Sequence, residues 1–184
     1  MKKTIKKMKL IKTKIKGLLV IKQKNNIDTR GSLKETFNKK ILNKNFVFEY
    51  CTTSKAKALR GFHFQYKFQQ AKFVSVLKGK ILDCVIDLRR NSKTFGKTYK
   101  IVLSDKNCLS LYIPEGFAHA YYSYEKYNII YYKLTNFYKP KFESGINLLD
   151  KNINIKWPKK NFTISKKDSK LMTFKDFCKT HKFL

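Results

Sequence analysis

The chain has 184 residues, of which 42% are apolar and 15% aromatic, so it can bury a sizeable core and is not an intrinsically disordered polymer. Its 42 lysines and arginines outnumber the 12 aspartates and glutamates, and the formal net charge of +30 would by itself suggest nucleic acid or another polyanion as a partner. Only four of these basic residues are arginines, whose planar guanidinium groups suit phosphates and base edges, so the lysine excess is interpreted as a compositional bias and nucleic acid is not expected as a partner.

The first residues do not resemble a targeting signal. Residues 1–7 have no apolar pattern and are predicted to form a disordered extension, and Met8 could serve as an alternative start. The apolar run at residues 17–21 is too short for a secretory signal or a membrane span. No repeat or linker divides residues 8–184, so we expect a single domain that is soluble and cytoplasmic, with no membrane as a partner.

Short runs rich in β-branched and aromatic residues dominate the chain and predict β-strands. The predicted strands are 18–21, 46–51, 73–77, 81–88, 98–103, 110–113, 120–124 and 128–134. The turn at residues 78–80 (Lys-Gly-Lys) predicts a tight hairpin, and residues 113–116 (Ile-Pro-Glu-Gly) predict a sharp reversal. Helical patterns are confined to residues 34–38 and 173–179. The fold class is therefore predicted as all-β, a jelly-roll β-barrel or sandwich with short flanking helices.

A cation and an imidazole lie close together at Arg60 and His63, and Lys72 follows them. If residues 60–65 form a strand, His63 and Gln65 share one face, and Lys72 on the next strand could complete a polar pocket inside the barrel. A lone histidine is more often a packed core or surface histidine. On these residues alone, both interpretations of His63 remain open.

Four further polar candidates lie in the second half of the chain. The turn before residue 117 aims His119 from the start of a strand. Tyr132 and Tyr138 are an even number of residues apart, so an uninterrupted strand would present both on one face, although most tyrosines simply pack. Asp168 is a late carboxylate, and in so basic a chain its default role is that of a solvated counter-charge.

The chain offers no metal-binding pattern. Its three histidines are well separated, position 65 is glutamine where jelly-roll metalloenzymes usually carry a second histidine, and the four cysteines form no C-x-x-C pair. We therefore predict no metal site and no disulfide. The sequence also lacks a glycine-rich dinucleotide loop.

The order and spacing of a series of short motifs resemble those of the dTDP-4-dehydrorhamnose 3,5-epimerase family, cofactor-free cupin-type enzymes of nucleotide-activated deoxysugar synthesis. The resemblance covers about residues 8–176. Its motifs are Asp28-x-Arg30-Gly31-x-x-x-Glu35, Leu59-Arg60-Gly61-Phe62-His63, Gln70-x-Lys72, Asp83-x-x-x-Asp87-Leu88-Arg89, Thr94-Phe95-Gly96, Pro114-x-Gly116-Phe117-Ala118-His119, residues 132–138, Glu143-x-Gly145-Ile146, Trp157-Pro158 and Ser165-x-Lys167-Asp168. It implies a cupin-like jelly roll and an isomerase whose partner is a nucleotide-sugar substrate.

The resemblance also implies roles for four residues in epimerisation beside a C4 ketone. His63 matches the family's base, because an imidazole can accept a proton near neutral pH, and Asp168 matches its partner. Tyr132 matches the acid on the opposite face of the sugar. Lys72 matches the cation beside the developing enolate oxygen. The base, the acid and the cation are side chains of the chain itself, so the resemblance implies that no cofactor is required.

Substrate binding is implied for a second set of residues, which match family positions that contact the nucleotide, the diphosphate or the sugar. These are Arg30, Glu35, Arg60, His119, Tyr138, Glu143 and Lys167. Arg60 and Lys167 are the natural partners of a diphosphate. Arg30 and Glu35 lie in the segment that reaches toward the partner subunit in this dimeric family, so a homodimer is expected.

Three residues depart from the family pattern. Phe48 and Tyr50 stand where the family commonly has a glutamine and an asparagine around an acidic residue, and Leu33 stands where it commonly has an aromatic residue against the base. These positions belong to the binding side, so the reaction type is better determined than the nucleotide or the sugar.

Other activities stay open at the sequence level. An epimerase acting at C3 alone and a 3,4-ketoisomerase acting on another nucleotide sugar are the enzymatic alternatives. The non-enzymatic alternative is a cupin that binds polyanions through its lysines, with an affinity that falls steeply with salt.

Overall fold

The computed structural model describes residues 7–153, 155–159 and 161–181, and within these ranges the chain is a two-layer β structure. Its strands are β1 (Lys9–Lys12), β2 (Leu19–Lys22), β3 (Asn25–Asp28), β4 (Gly31–Lys34), β5 (Phe48–Lys55), β6 (Leu59–Gln65), β7 (Lys72–Lys78), β8 (Lys80–Asp87), β9 (Thr98–Ser104), β10 (Leu109–Ile113), β11 (Phe117–Ser123), β12 (Tyr127–Leu134) and β13 (Glu143–Gly145). One α-helix, α1 (Phe174–Thr180), follows, and 3-10 turns lie at Pro140–Phe142 and Asp168–Lys170.

Two antiparallel sheets form the layers. The six-stranded sheet has the order β1-β2-β10-β7-β12-β5, and the five-stranded sheet has the order β13-β6-β11-β8-β9. Strands β3 and β4 form a separate two-stranded hairpin. This arrangement of two facing antiparallel sheets confirms the predicted all-β jelly roll.

The core lies between the two sheets because both contribute alternate apolar residues to it. Val74 and Ile130 from the six-stranded sheet meet Val85 and Leu103 from the five-stranded sheet in one fully buried cluster. A second cluster covers the outer face of the five-stranded sheet, where Phe64 packs edge-on to Phe177 of α1 with ring centroids 5.5 Å apart. The five-stranded sheet is therefore buried on both faces, which holds its strands rigidly beneath the site described below.

The predicted strands are confirmed with small shifts at their ends, but the predicted hairpin at residues 78–80 is wrong. β7 and β8 lie in different sheets, so the turn between them carries the chain from one layer to the other. Gly79 has a positive φ of 88°, and a Cβ there would lie 2.5 Å from Oδ1 of Asn128, which accepts a hydrogen bond from the Lys80 amide. The turn residues were identified correctly, and their sequence does not specify which strands pair.

One of the two predicted helices is confirmed. Helix α1 begins at the predicted place, with Thr173 Oγ1 accepting a hydrogen bond from the Asp176 amide. The helix predicted at 34–38 is wrong, because Lys34 ends β4 and residues 35–38 are irregular. Phe37 instead packs edge-on against Phe46 and Phe73, with ring centroids 5.2 and 5.8 Å away. Tertiary packing therefore determines the conformation of this segment and overrides its helical pattern.

The ends of the chain are described only in part. Of the extension predicted at residues 1–7, residues 1–6 lie outside the described residues. Met8 is 5% exposed and belongs to an apolar cluster with Ile21 and Phe73. In the described ranges, no helix has both the length and the apolar character needed to cross a membrane.

Candidate active site

A polar cleft opens between the two sheets. It is lined by Tyr50, Thr52, Arg60, Gly61, His63, Phe64, Gln65, Gln70, Lys72, His119, Tyr121, Tyr132, Tyr138 and Glu143, and its mouth continues past Ser165, Lys167 and Asp168. His63 and His119 come from the five-stranded sheet, whereas Lys72 and Tyr132 come from the six-stranded sheet. The cleft therefore has two chemically different walls, one carrying imidazoles and the other an ammonium group and phenols.

A bulge in β6 turns both Arg60 and His63 into the cleft. Residues three apart on a regular strand point to opposite faces, yet here His119 pairs with His63 while Tyr121 pairs with Arg60, so β6 carries one extra residue against β11. The extra residue is Gly61, with a φ of 111°, and a Cβ on it would lie 2.4 Å from the His119 carbonyl oxygen. Glycine is required here because a side chain would collide with the neighbouring strand.

His63 forms a hydrogen-bonded pair with Asp168. The distance from His63 Nε2 to Asp168 Oδ1 is 3.0 Å, and the Gly61 amide donates to Oδ2 of the same carboxylate at 3.1 Å. Burial would raise the pKa of Asp168, but the hydrogen bond and charge of His63 outweigh burial and lower it. The His63 side chain is 29% exposed to the cleft, so one ring nitrogen is held by an ionised carboxylate while the other can accept a proton.

His119 belongs to a second histidine–carboxylate pair, deeper in the cleft. Its Nε2 lies 2.8 Å from Oδ2 of Asp83, and the side chains are 5% and 0% exposed. Oδ1 of Asp83 is buried without a partner among the described residues. The greater exposure of His63 makes it the better candidate for contact with a substrate.

Lys72 is almost fully buried at the base of the cleft. Burial lowers its pKa to about 8, and the negative charges of Glu143 and Asp83 oppose this effect. Its Nζ donates one long hydrogen bond of 3.4 Å to the His63 carbonyl oxygen. At neutral pH the group therefore remains a cation, and it is poorly compensated by protein groups within the described part of the chain.

Tyr132 is held by its aromatic neighbours. Its ring stacks on Tyr50 with centroids 4.9 Å apart and an interplanar angle of 23°, and the His119 ring meets its edge at 5.9 Å. Burial, together with the neighbouring phenols Tyr121 and Tyr50, raises the pKa of Tyr132 well above its ordinary value. The phenol therefore keeps its proton at neutral pH and can act as a donor.

Charged and polar groups gather at the mouth. Tyr138 donates a 2.8 Å hydrogen bond to Oε2 of Glu143, which also forms an ion pair with Lys167. Burial would raise the pKa of Glu143, but the bonds from Lys167 and Tyr138 outweigh it and lower the pKa. Arg60 donates a long 3.4 Å bond to the Tyr121 hydroxyl. Arg60 and Lys167 thus place two cations at the opening.

Arg30 and Glu35 are not brought to the cleft of their own chain. Arg30 follows β3 and forms an exposed ion pair with Asp28 at 2.7 Å, and Glu35 accepts a hydrogen bond from Asn38 at 2.6 Å. Both lie beside the β3–β4 hairpin, where Leu33 is 67% exposed. Of the predicted site residues, all others line the cleft or its mouth.

Several functional residues carry no signal of their own in the sequence, above all Asp83, which lies behind the cleft and holds His119. Asp83 stands in one of the motifs, but nothing in the spacing indicates that its carboxylate pairs with His119 on the adjacent strand. The alternation of side chains along this buried strand could have suggested that the Asp83 carboxylate points into the protein. Among the described residues, no group of three or more histidine, cysteine, aspartate or glutamate side chains is arranged to hold a metal ion.

Comparisons with known proteins agree on one family. The family model described as dTDP-4-dehydrorhamnose 3,5-epimerase matches residues 12–176. A relative of that name from Methanothermobacter thermautotrophicus is 39% identical over 168 residues, covering 87% of this chain and 91% of the relative. Another from Shigella flexneri is 38% identical, covering 92% of this chain and 97% of the relative.

Solved structures give the same result. The dTDP-4-dehydrorhamnose 3,5-epimerase of Elizabethkingia anophelis has a TM-score of 0.86 and 36% identity, covering 92% of this chain and 97% of that one. The dTDP-6-deoxy-D-glucose-3,5-epimerase of Legionella pneumophila, solved with dTDP-4-keto-L-rhamnose, has a TM-score of 0.87 and 34% identity, covering 91% and 93%. These findings confirm the resemblance drawn from the motifs.

Proposed function

The chain belongs to the dTDP-4-dehydrorhamnose 3,5-epimerase family, and from this premise we propose that it is a cofactor-independent epimerase of a nucleotide-linked 4-keto-6-deoxy sugar. The reaction is the conversion of dTDP-4-dehydro-6-deoxy-D-glucose to dTDP-4-dehydro-L-rhamnose. The enzyme is thus an isomerase that inverts carbon centres on either side of a ketone.

One observation carries the proposal: a candidate base and a candidate acid lie on opposite walls of one cleft. His63 removes the proton from a carbon beside the C4 ketone, and the electrons of the broken C–H bond move into the carbonyl to form an enolate. Lys72 stabilises the negative oxygen, because a buried cation is most effective where water is excluded. Tyr132 then donates a proton to the same carbon from the other face, which inverts the centre.

Substrate binding follows from the charges at the mouth. Arg60 and Lys167 supply cations for the diphosphate, and Tyr138 and Glu143 lie beside Lys167. His119 contacts the sugar from the imidazole wall. We propose a cytoplasmic location for the enzyme, where its nucleotide-sugar substrate is made.

Solvent deuterium incorporation tests the proposed reaction directly. Incubating the protein with a panel of 4-keto-6-deoxy sugar nucleotides in deuterated water should label both C3 and C5 of at least one of them, as read by NMR. Label at C3 alone would select the mono-epimerase alternative. Absence of label in every sugar tested, with the protein folded by circular dichroism, would refute an epimerase function.

We also propose that the enzyme works as a homodimer in which Arg30 reaches the partner's cleft. Arg30 and Glu35 lie away from the cleft of their own chain, on an exposed hairpin that belongs to neither large sheet. In an isologous dimer the contacts are reciprocal, so the hairpin of each subunit would reach the cleft of the other.

Subunit mixing provides the test of this arrangement. His63→Ala and Arg30→Ala dimers should each have little activity, and unfolding and refolding them together should restore about a quarter of wild-type activity, because half of the dimers become mixed and each has one intact cleft. Mixing without refolding is the control. If mass spectrometry demonstrates mixed dimers but no activity is recovered, Arg30 acts within its own subunit and not in the partner's cleft.

A further inference from the structure

The residue at position 50 touches the candidate acid. Tyr50 lies on β5, the edge strand of the six-stranded sheet, and in the β5–β12 register it stands directly opposite Tyr132. Directly opposed residues on antiparallel strands have neighbouring side chains on the same face. The sequence pattern predicts a binding role for position 50, and the structure places Tyr50 against the candidate acid as well.

No hydrogen bond fixes the Tyr132 hydroxyl, since no protein group within the described ranges bonds it. The ring is 3% exposed and belongs to the core cluster between the sheets, and two aromatic rings contact it: Tyr50, stacked at 4.9 Å, and His119, at 5.9 Å with an interplanar angle of 67°. His119 is itself fixed by Asp83 at 2.8 Å, so it forms a rigid side of this support. Tyr50 is 38% exposed and closes the solvent side.

We propose that Tyr50 is a positioning residue that directs the Tyr132 hydroxyl toward the enolate. This inference rests on the proposed epimerase function. Inversion requires a proton from the Tyr132 wall, whereas abstraction by His63 does not. Loss of the Tyr50 ring should therefore impair reprotonation with inversion and leave deprotonation largely intact.

The test separates these two steps in deuterated water. His63 is partly exposed, so it exchanges its captured proton with solvent and can return deuterium to the original face of the sugar. For Tyr50→Leu we expect inverted product to form about 10- to 100-fold more slowly, as for a misplaced catalytic group, while label in recovered substrate falls less than about threefold. Because Tyr50 also lines the cleft, KM can rise, but by a smaller factor than the fall in kcat for inversion.

Two further variants sharpen the comparison. Tyr50→Phe keeps the ring and should behave like wild type. Tyr131→Leu is the matched control, because Tyr131 lies next to Tyr132 on β12 and its hydroxyl bonds to exposed Glu49 instead. Equal losses in Tyr50→Phe and Tyr50→Leu, a change confined to KM, or a parallel fall of label and product would each overturn the positioning role.

A structural readout keeps this inference distinct from the proposed function. In protein carrying ¹³C-labelled tyrosine, the ring signals of Tyr132, assigned from Tyr132→Phe, should shift in Tyr50→Leu because the stacked ring current is lost, and should stay nearly in place in Tyr131→Leu. Unmoved Tyr132 signals in Tyr50→Leu would refute the stacking support even if the enzyme is active. An inactive wild type would instead refute the epimerase function.

Discussion

Replacing His63 with asparagine is expected to lower kcat for epimerisation by about 10²- to 10⁴-fold, the usual contribution of a positioned general base. The side chain faces the cleft, and a carboxylate with a lowered pKa holds one of its ring nitrogens. Asparagine can donate a hydrogen bond to the Asp168 carboxylate through its amide N–H, but it has no basic nitrogen. Solvent label should therefore disappear from both recovered substrate and product, while Tm stays near that of wild type.

The Asp168→Asn variant tests the other half of the pair. An amide at position 168 would donate to His63, force the opposite tautomer and leave a protonated nitrogen toward the sugar, so activity should fall by at least about 10²-fold. With its NH2 group toward His63, the amide keeps its oxygen toward the Gly61 amide, so Tm should stay near that of wild type.

His181→Asn is the control for losing an imidazole, because His181 packs on Phe177 outside the cleft. It should retain wild-type turnover. If His63→Asn unfolds the protein, or if it keeps turnover within a few fold of wild type, His63 is a packing residue and the base must be sought elsewhere, first at His119.

Most strands were predictable because their pattern is local. A strand buried on both faces needs a run of apolar residues, and a strand buried on one face needs alternating ones. Such patterns identify the strands at residues 73–77 and 128–134. The pairing of strands is not local. The turn at Gly79 reverses the chain whether its two strands pair or separate into different sheets, so the hairpin was predicted where the structure has a crossing between layers.

The functional residues of the cleft could be predicted only from complete motifs, because the spacing of single residues does not show which side chains face the cleft. Residues three apart normally face opposite ways, and the bulge that aligns Arg60 with His63 depends on how closely the neighbouring strand approaches Gly61. The pairing of Asp83 with His119 and the stacking of Tyr50 on Tyr132 depend on cross-strand register. Register is set by tertiary contacts, so sequence alone could name these residues without showing that they touch.

Lys72 is expected to show opposite effects on activity and stability. Lys72→Met should lower kcat by about 10²- to 10³-fold, because the enolate oxygen loses its preorganised cation. The same replacement should stabilise the protein at pH 7, by up to about 3 kcal/mol, since the lowered pKa means that folding penalises the charged amine. Replacing a purely structural lysine would lower the stability of the protein. A fall in kcat together with a rise in stability would therefore identify Lys72 as a residue retained for chemistry.

The pH dependence follows from the same group. The pKa of Lys72 is about 8 in the folded protein and 10.5 in its ordinary environment. Below pH 8 both states carry the charge and the penalty is complete. Between pH 8 and 10.5 only the folded state loses the proton, so this contribution to stability rises with pH, and the difference between Lys72→Met and wild type should shrink across that window in urea unfolding.

Activity should change in the opposite direction over that range, since kcat/KM depends on the charged amine and should fall as pH rises through about 8. Lys72→Arg keeps a cation that does not titrate there, so its remaining activity should lack this alkaline fall. An alkaline fall that persists unchanged in Lys72→Arg would assign it to another group. A Lys72→Met variant that is less stable than wild type at pH 7 would show that the buried amine contributes more to folding through its contacts than its burial costs.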